Sequence, residues 1–165
     1  MLTGQAVRAI SQDNGFVHWD SRYSVGIPLI DDQHKELIRL TNELYECCLL
    51  NDTAAKAAFM LTIKHTVTYV KYHFSAEEKL MQNIQFPGLA EHKKEHDAFV
   101  VQVLKEAKSF ESGKQFVPNQ FVHFLKDWTL SHIGVMDKKY AEYIRSLKKQ
   151  GLLDKTVLSA SPVNQ

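Results

Sequence analysis

Short groups of turn-forming residues divide most of this chain of 165 residues into four long segments. The groups are the stretch 51–53 (NDT), the Pro87–Gly88 pair, and the stretch from Ser112 to Pro118, where a proline suits the first turn of a new helix. Helices of about 20 to 30 residues joined by such short loops pack as antiparallel neighbours. The chain is therefore predicted to be all-α, an up-down-up-down antiparallel four-helix bundle with an extended N-terminal arm.

The ends of the four helices follow from the same signals. The first helix is predicted to begin at a capping Asp31 or Asp32 and to end at about Leu50, with leucines and His34 on its inner face. The second ends at about Asn83, the third covers 88–111, and the fourth covers 118–150. The predicted division is an arm extension at 1–18, a four-helix bundle domain at 19–150, and a flexible C-terminal tail at 151–165.

Composition restricts the classes of partner. Charged residues make up 24% of the chain and the formal net charge is +1, so we expect no nucleic acid partner. The apolar runs are far too short to span a bilayer, so we expect no membrane insertion. The N-terminus lacks the pattern of a signal peptide, and adjacent Cys47 and Cys48 suit a structural disulfide poorly. We therefore expect a cytoplasmic protein with two small, buried or half-buried thiols.

Histidines and carboxylates recur on all four predicted helices. His73 and Glu77 are four residues apart, as are His92 and His96, so each pair lies on one helix face. Facing helices of a bundle commonly assemble metal sites from such side chains. Taken singly, each signal is more typical of a surface pair or a core histidine, and the prediction depends on all four helices contributing. The predicted metal ligands are His34, His73, Glu77, His92, His96, His132 and Asp137.

The ligand types narrow the kind of metal site. Imidazole suits iron, zinc, copper and nickel, while bridging carboxylates favour a cluster of several ions. The sequence has no CxxC pair, no HExxH and no ExxH, which argues against structural zinc, zinc proteases and ferritin-like di-iron sites. Five imidazoles, two bridging carboxylates and a shared oxide or hydroxide would leave one position open on two six-coordinate ions. A bundle that binds only adventitious zinc is the simpler alternative.

His132 and Asp137 are spaced unusually for one site. Five residues separate them, which is about 140° around an ideal α-helix. A site with two ions does not require both side chains to reach the same ion, because His132 can bind one ion while Asp137 reaches between both. A five-residue step is also the repeat of a π-turn, so we predict a π-type bulge around Gly134. Three histidines fall off the ligand face or in the arm and are predicted not to be ligands: His18, His65 and His123.

Four stretches of the sequence together resemble the hemerythrin family, specifically a bacterial hemerythrin. They are WDSRYSVGIPLIDDQHKEL, HFSAEEKLM, FPGLAEHKKEHDAF and WTLSHIGVMDKKY, within a resemblance that covers about 19–143. The resemblance implies two iron ions per chain, bridged by oxide or hydroxide and by the carboxylates of Glu77 and Asp137. It implies that the saturated iron is bound by His92, His96 and His132, and the iron with the open position by His34 and His73.

The function that the resemblance implies is reversible dioxygen binding for carriage, storage or delivery, without enzymatic activity. Nitric oxide and azide are further candidate ligands. Phe74, Trp128 and Ile133 resemble positions that line the family's ligand pocket, and ordinary core packing accounts for them equally well. Two other functions stay open: oxygen or redox sensing through a separate protein partner of unknown identity, and a di-iron oxidase or peroxidase on the same scaffold.

Overall fold

The computed structural model describes residues 15–49, 53–112 and 117–153, and within them it contains helices and loops but no strand. The predicted arm before residue 15, most of the predicted tail and the turn at 51–52 lie outside the described residues. No helix in the described ranges is both long enough and apolar enough to cross a membrane. The helices are a short 3-10 helix (Ser21–Tyr23), α1 (Pro28–Leu49), α2 (Thr53–Asn83), α3 (Leu89–Glu111), α4 (Pro118–Ser131), a π-helical segment (His132–Asp137) and α5 (Lys138–Lys149).

These elements form the predicted four-helix bundle, in which α4, the π-helical segment and α5 together make the fourth helix. Ion pairs between α2 and α3 show that neighbours run in opposite directions. Lys64 meets Glu111 at 3.4 Å, and Glu78 meets Lys93 at 3.0 Å, so rising residue numbers on α2 face falling numbers on α3. Helix α1 packs against both α2 and α4, which closes the bundle.

Two apolar clusters fill the core, one on each side of the layer that carries the candidate ligands. On α1, Ile30 belongs to one cluster and Leu37 to the other, with His34 between them. On the fourth helix, Leu125 and Tyr140 are divided in the same way by the π-helical segment. The candidate ligands lie on the same faces of the helices as the apolar core residues. They are therefore buried when those faces pack together.

The described part of the arm is fixed to the bundle. The Val17 N–H donates to Asn42 Oδ1 at 2.8 Å, and Asn42 Nδ2 donates back to the Val17 carbonyl at 2.9 Å. Next to this pair, the ring of Phe16 stacks on Tyr45 with 4.2 Å between centroids. Residues 15–17 are therefore packed against α1, while the domain boundary at residue 18 stays a prediction.

The predicted cap of the first helix is wrong. Helix α1 begins at Pro28, because the ring of a proline presets the helical φ angle and its missing N–H costs nothing in the first turn. Asp31 therefore lies inside the helix, where its carboxylate accepts hydrogen bonds from the segment that precedes the helix. The Ser24 hydroxyl donates to it at 2.6 Å and the Val25 N–H at 2.7 Å, so Asp31 holds this preceding segment in place.

Replacing Leu44 tests how far the bundle depends on its apolar core. Leu44 has no exposed surface and belongs to the larger cluster, so Leu44→Ala is expected to lower the free energy of unfolding by about 2 to 5 kcal/mol, measured by urea denaturation. Leu49→Ala on the same helix is the control, because Leu49 is 60% exposed and its truncation should change stability little. Equal losses in the two variants would contradict the assigned core.

Candidate metal centre

All seven predicted ligands lie in one buried layer across the bundle. Each has 5% or less of its surface exposed. Helix α1 contributes one of them, α2 and α3 contribute two each, and the π-helical segment contributes two. They fall into two overlapping groups of donors, one of Glu77, His92, His96 and His132, the other of His34, His73 and Glu77. Asp137 contacts members of both groups.

Three imidazoles converge in the first group. The Nε2 atoms of His92, His96 and His132 lie 3.0 to 3.1 Å from one another. Three ligands at right angles around one ion, each about 2.1 Å from it, are themselves about 3.0 Å apart. The triad therefore has the separations of three facial ligands on a single six-coordinate ion.

The second group has two histidines. The rings of His34 and His73 meet edge to face with 4.9 Å between centroids. His34 Nε2 lies 3.5 Å from Glu77 Oε1, and His73 Nε2 lies 3.6 Å from Glu77 Oε2. This group therefore offers fewer imidazoles than the first, in the three-to-two division that the sequence predicts.

The two carboxylates lie between the groups. Asp137 Oδ1 faces the triad, 3.3 Å from His132 Nε2 and 3.4 Å from His92 Nε2, while Oδ2 faces His34 Nε2 at 3.2 Å. Asp137 thus turns one oxygen toward each group. Glu77 is divided less evenly, because its Oε2 lies 3.3 Å from His96 Nε2 and also faces His73. Both carboxylates can bridge two ions.

Several nitrogen and oxygen atoms of the candidate ligands are buried and have no hydrogen-bond partner among the described residues. They include His34 Nε2, Glu77 Oε2 and both carboxylate oxygens of Asp137. Leaving such atoms unpaired in a protein interior costs free energy, so buried carboxylates are usually paired or bind metals. These four atoms lie 3.2 to 3.6 Å from nitrogen or oxygen atoms of other candidate ligands, and the residues therefore fit a pair of cations.

The pKa values of the buried carboxylates and histidines also indicate that this layer fits cations. Burial alone would raise the pKa of both carboxylates, but neighbouring imidazoles hold the pKa of Glu77 well below its usual range and lower that of Asp137. Burial opposes a charge on His34, yet Asp137 and Glu77 raise its pKa to about 9. Burial lowers the pKa of His73 to about 4. The layer thus keeps two carboxylate anions that require positive charge beside them.

The five-residue gap between His132 and Asp137 is spanned by the predicted π-helical turn. The segment His132–Asp137 is π-helical, whereas the helix on either side of it is α-helical. Widening the turn brings His132 Nε2 within 3.3 Å of Asp137 Oδ1, although an α-helix would place the two residues about 140° apart. Gly134 is exposed, and a Cβ atom at its position would contact nothing within 4 Å. The bulge therefore needs no glycine for steric reasons.

Three polar side chains that were not predicted from the sequence form hydrogen bonds with the candidate ligands. Gln33 Oε1 accepts from His73 Nδ1 at 3.0 Å, Glu78 Oε1 accepts from His96 Nδ1 at 3.1 Å, and the Tyr140 hydroxyl donates to Glu77 Oε1 at 2.6 Å. Burial and the adjacent Glu77 carboxylate raise the pKa of Tyr140 well above its usual range, so the phenol stays protonated as a donor.

Only one of these three had a usable signal in the sequence. Tyr140 follows Asp137 by three residues, a spacing that places both on the inner face of the fourth helix. Gln33 and Glu78 are each one residue from a ligand, about 100° around the helix, where sequence spacing predicts a different face. Their partners are on other helices, so only the packing reveals them.

The predicted pocket residues lie against the histidines. Phe74 stacks on His96 with 3.6 Å between ring centroids and lies 5.7 Å from His73. Trp128 stacks on His132 at 4.3 Å, and Ile133 is 2% exposed. These side chains make one side of the layer apolar, which is consistent with both pocket lining and core packing.

The histidines predicted not to be ligands lie outside the layer. His18, His65 and His123 are exposed, and the His123 ring meets Phe16 edge-on at 4.9 Å between centroids. The two cysteines, Cys47 and Cys48, are free and half-buried, as predicted. Burial raises the pKa of both thiols, that of Cys48 to about 11, so neither is an activated nucleophile.

Comparisons with known sequences and structures relate this chain to one protein family. The sequence model of the Hemerythrin HHE cation binding domain matches residues 25–144. A bacteriohemerythrin of Stenotrophomonas maltophilia is 29% identical over 78% of this chain and 81% of its own length. A hemerythrin-like protein of Naegleria gruberi is 33% identical over 74% of this chain and 89% of its own. The crystal structure of wild-type hemerythrin superposes with a TM-score of 0.72 at 27% identity, covering 77% of this chain and 96% of that one. The chain belongs to the hemerythrin family.

Proposed function

We propose that this protein binds dioxygen reversibly at a centre of two iron ions. Family membership implies iron binding and an oxygen-related function. The single observation that carries the finer proposal is the unequal division of the buried imidazoles, three around one position and two around the other. Equal carboxylate bridging would then leave the open coordination position at the two-histidine group, where one small ligand would bind.

The chain would hold each iron with its own set of side chains. The proposed ligands are His92, His96 and His132 for one ion, His34 and His73 for the other, and Glu77 and Asp137 as bridges. Support comes from the 3.0 to 3.1 Å separations within the triad and from the opposite directions of the two Asp137 oxygens. Imidazole and carboxylate together suit iron.

When bound, the two iron ions supply the electrons that dioxygen takes up and returns. The side chains around them hold the ligands in place and keep water out. Phe74 stacks on the imidazole of His96 and Trp128 on that of His132, and Ile133 is a buried aliphatic residue next to His132 in the chain. A dry, apolar environment favours reversible binding over loss of reduced oxygen species to water. We propose on the same grounds that the protein is a carrier or store rather than an oxidase or peroxidase.

Cycling between air and argon tests reversibility. The reduced protein, shown by metal analysis to contain two iron ions per chain, is expected to gain a visible charge-transfer band in air and to lose it under argon over repeated cycles. A single conversion that argon does not reverse would contradict carriage and would favour the oxidase, peroxidase or sensing functions. Iron content well below two per chain, with zinc in its place, would contradict the di-iron centre.

Exchanging one histidine at a time tests the ligand assignment. His73→Ala removes one of the two imidazoles of the second group and is expected to abolish oxygen binding and to reduce bound iron, measured by the charge-transfer band and by metal analysis. His123→Ala is the matched control, because His123 is an exposed histidine on α4 and should leave both unchanged. Equal behaviour of the two variants would rule out the proposed assignment.

A further inference from the structure

One histidine in each group has a side chain that hydrogen-bonds its Nδ1 atom, and these two supporting side chains differ in charge. In the three-histidine group, His96 Nδ1 lies 3.1 Å from Glu78 Oε1, and a carboxylate oxygen can only accept, so the imidazole donates. In the two-histidine group, His73 Nδ1 lies 3.0 Å from Gln33 Oε1, the oxygen of a neutral amide. One group therefore has an anionic support and the other a neutral one.

We infer that Glu78 is a positioning residue that strengthens His96 as an electron donor and thereby favours the ferric state at the three-histidine position. This inference rests on the proposed di-iron function. Glu78 is not itself among the proposed ligands, because its two oxygens face His96 Nδ1 and Lys93 Nζ, at 3.1 and 3.0 Å. It acts through His96.

The physical reason lies in the proton on Nδ1. Holding that proton on Nδ1 leaves the lone pair of Nε2 free for a metal, and both Glu78 and Gln33 do this for their histidines. Only the carboxylate also increases the basicity of the ring, since it places a negative charge on the far side of the proton. A more basic imidazole stabilises ferric iron more than ferrous iron, because the attraction grows with the charge of the ion.

Lys93 limits the effect of Glu78. Its ammonium group lies 3.0 Å from Glu78 Oε2 and 3.5 Å from Asp97 Oδ1, so one cation is shared between two carboxylates. The Glu78 side chain is 22% exposed and that of Lys93 is 52% exposed, which leaves the ion pair partly screened by water. Removing the lysine should therefore act on His96 in the opposite direction from removing the glutamate.

The asymmetry has a consequence for oxygen binding. In the proposed function the three-histidine position has no open coordination site, so an iron ion bound there would supply an electron and would not bind dioxygen. The anionic Glu78 would make an iron ion at that position easier to oxidise, while the neutral Gln33 would affect the other iron ion less. Glu78 should therefore favour the oxygenated form over the deoxygenated one.

The test compares Glu78→Gln with the unsubstituted protein, both loaded with iron. The variant is expected to bind iron about tenfold more weakly, measured by its release to a chelator. Its reduction potential should rise, by about 59 mV for each tenfold change in the preference for ferric over ferrous iron. Glu95→Gln is the matched control, because Glu95 is exposed and adjacent to His96 in sequence, and its loss removes the same charge without a ring contact.

A third variant tests the direction in which charge near His96 shifts the reduction potential. Lys93→Gln should shift the reduction potential downward, since it leaves the full charge of Glu78 on His96. A merely structural role for Glu78 would not produce opposite shifts in Glu78→Gln and Lys93→Gln. Equal potentials in Glu78→Gln and the unsubstituted protein, or the same shift in Glu95→Gln, would overturn the inference.

A readout without iron separates this inference from the proposed function. In the zinc-loaded protein, nitrogen-15 NMR of the histidine rings should show a slowly exchanging Nδ1 proton on His96, and Glu78→Gln should make it exchange faster. An unchanged ring signal in Glu78→Gln would overturn the role of Glu78 even if oxygen binding is reversible. Absence of oxygen binding with a changed signal would contradict the proposed function and leave the Glu78–His96 interaction supported.

Discussion

The constraint on which this structure depends is the burial of seven ionisable side chains in one layer of the bundle. Two carboxylates and five imidazoles lie at 5% exposure or less, between apolar clusters on either side. Charges in such a place are stable only when paired or bound to a metal. The helices must therefore hold each candidate ligand in a fixed position. The helix geometry and the supporting side chains contribute to this.

Three of the four helices position their candidate ligands with regular α-helical geometry, and the fourth helix does not. Spacings of four residues suit His73 with Glu77 and His92 with His96. The fourth helix must present a histidine to one group and a carboxylate to the region between both groups. The π-helical segment His132–Asp137 does this by widening a single turn, while α4 and α5 continue the packing on either side.

The side chains behind the candidate ligands add a second difference between two groups that already differ in their number of histidines. Gln33, Glu78 and Tyr140 each hold a ligand through a hydrogen bond from a different helix. They differ in charge and in hydrogen-bonding role, since one is a neutral acceptor, one an anionic acceptor and one a neutral donor. The supports of His73 and His96 thus differ in charge between the two-histidine and the three-histidine group.

The sequence by itself determined the helices, their antiparallel order and the candidate ligands, because the periodicity of apolar residues and the spacing of histidines are local properties. It also predicted the π-helical turn, since a five-residue gap between two ligands does not fit an α-helix. It failed at the start of α1, where Pro28 rather than Asp31 begins the helix. Only the tertiary structure decided which side chains hold the ligands. Gln33 and Glu78 meet histidines about 40 and 18 residues away, and such contacts depend on how the helices pack and not on spacing within one helix.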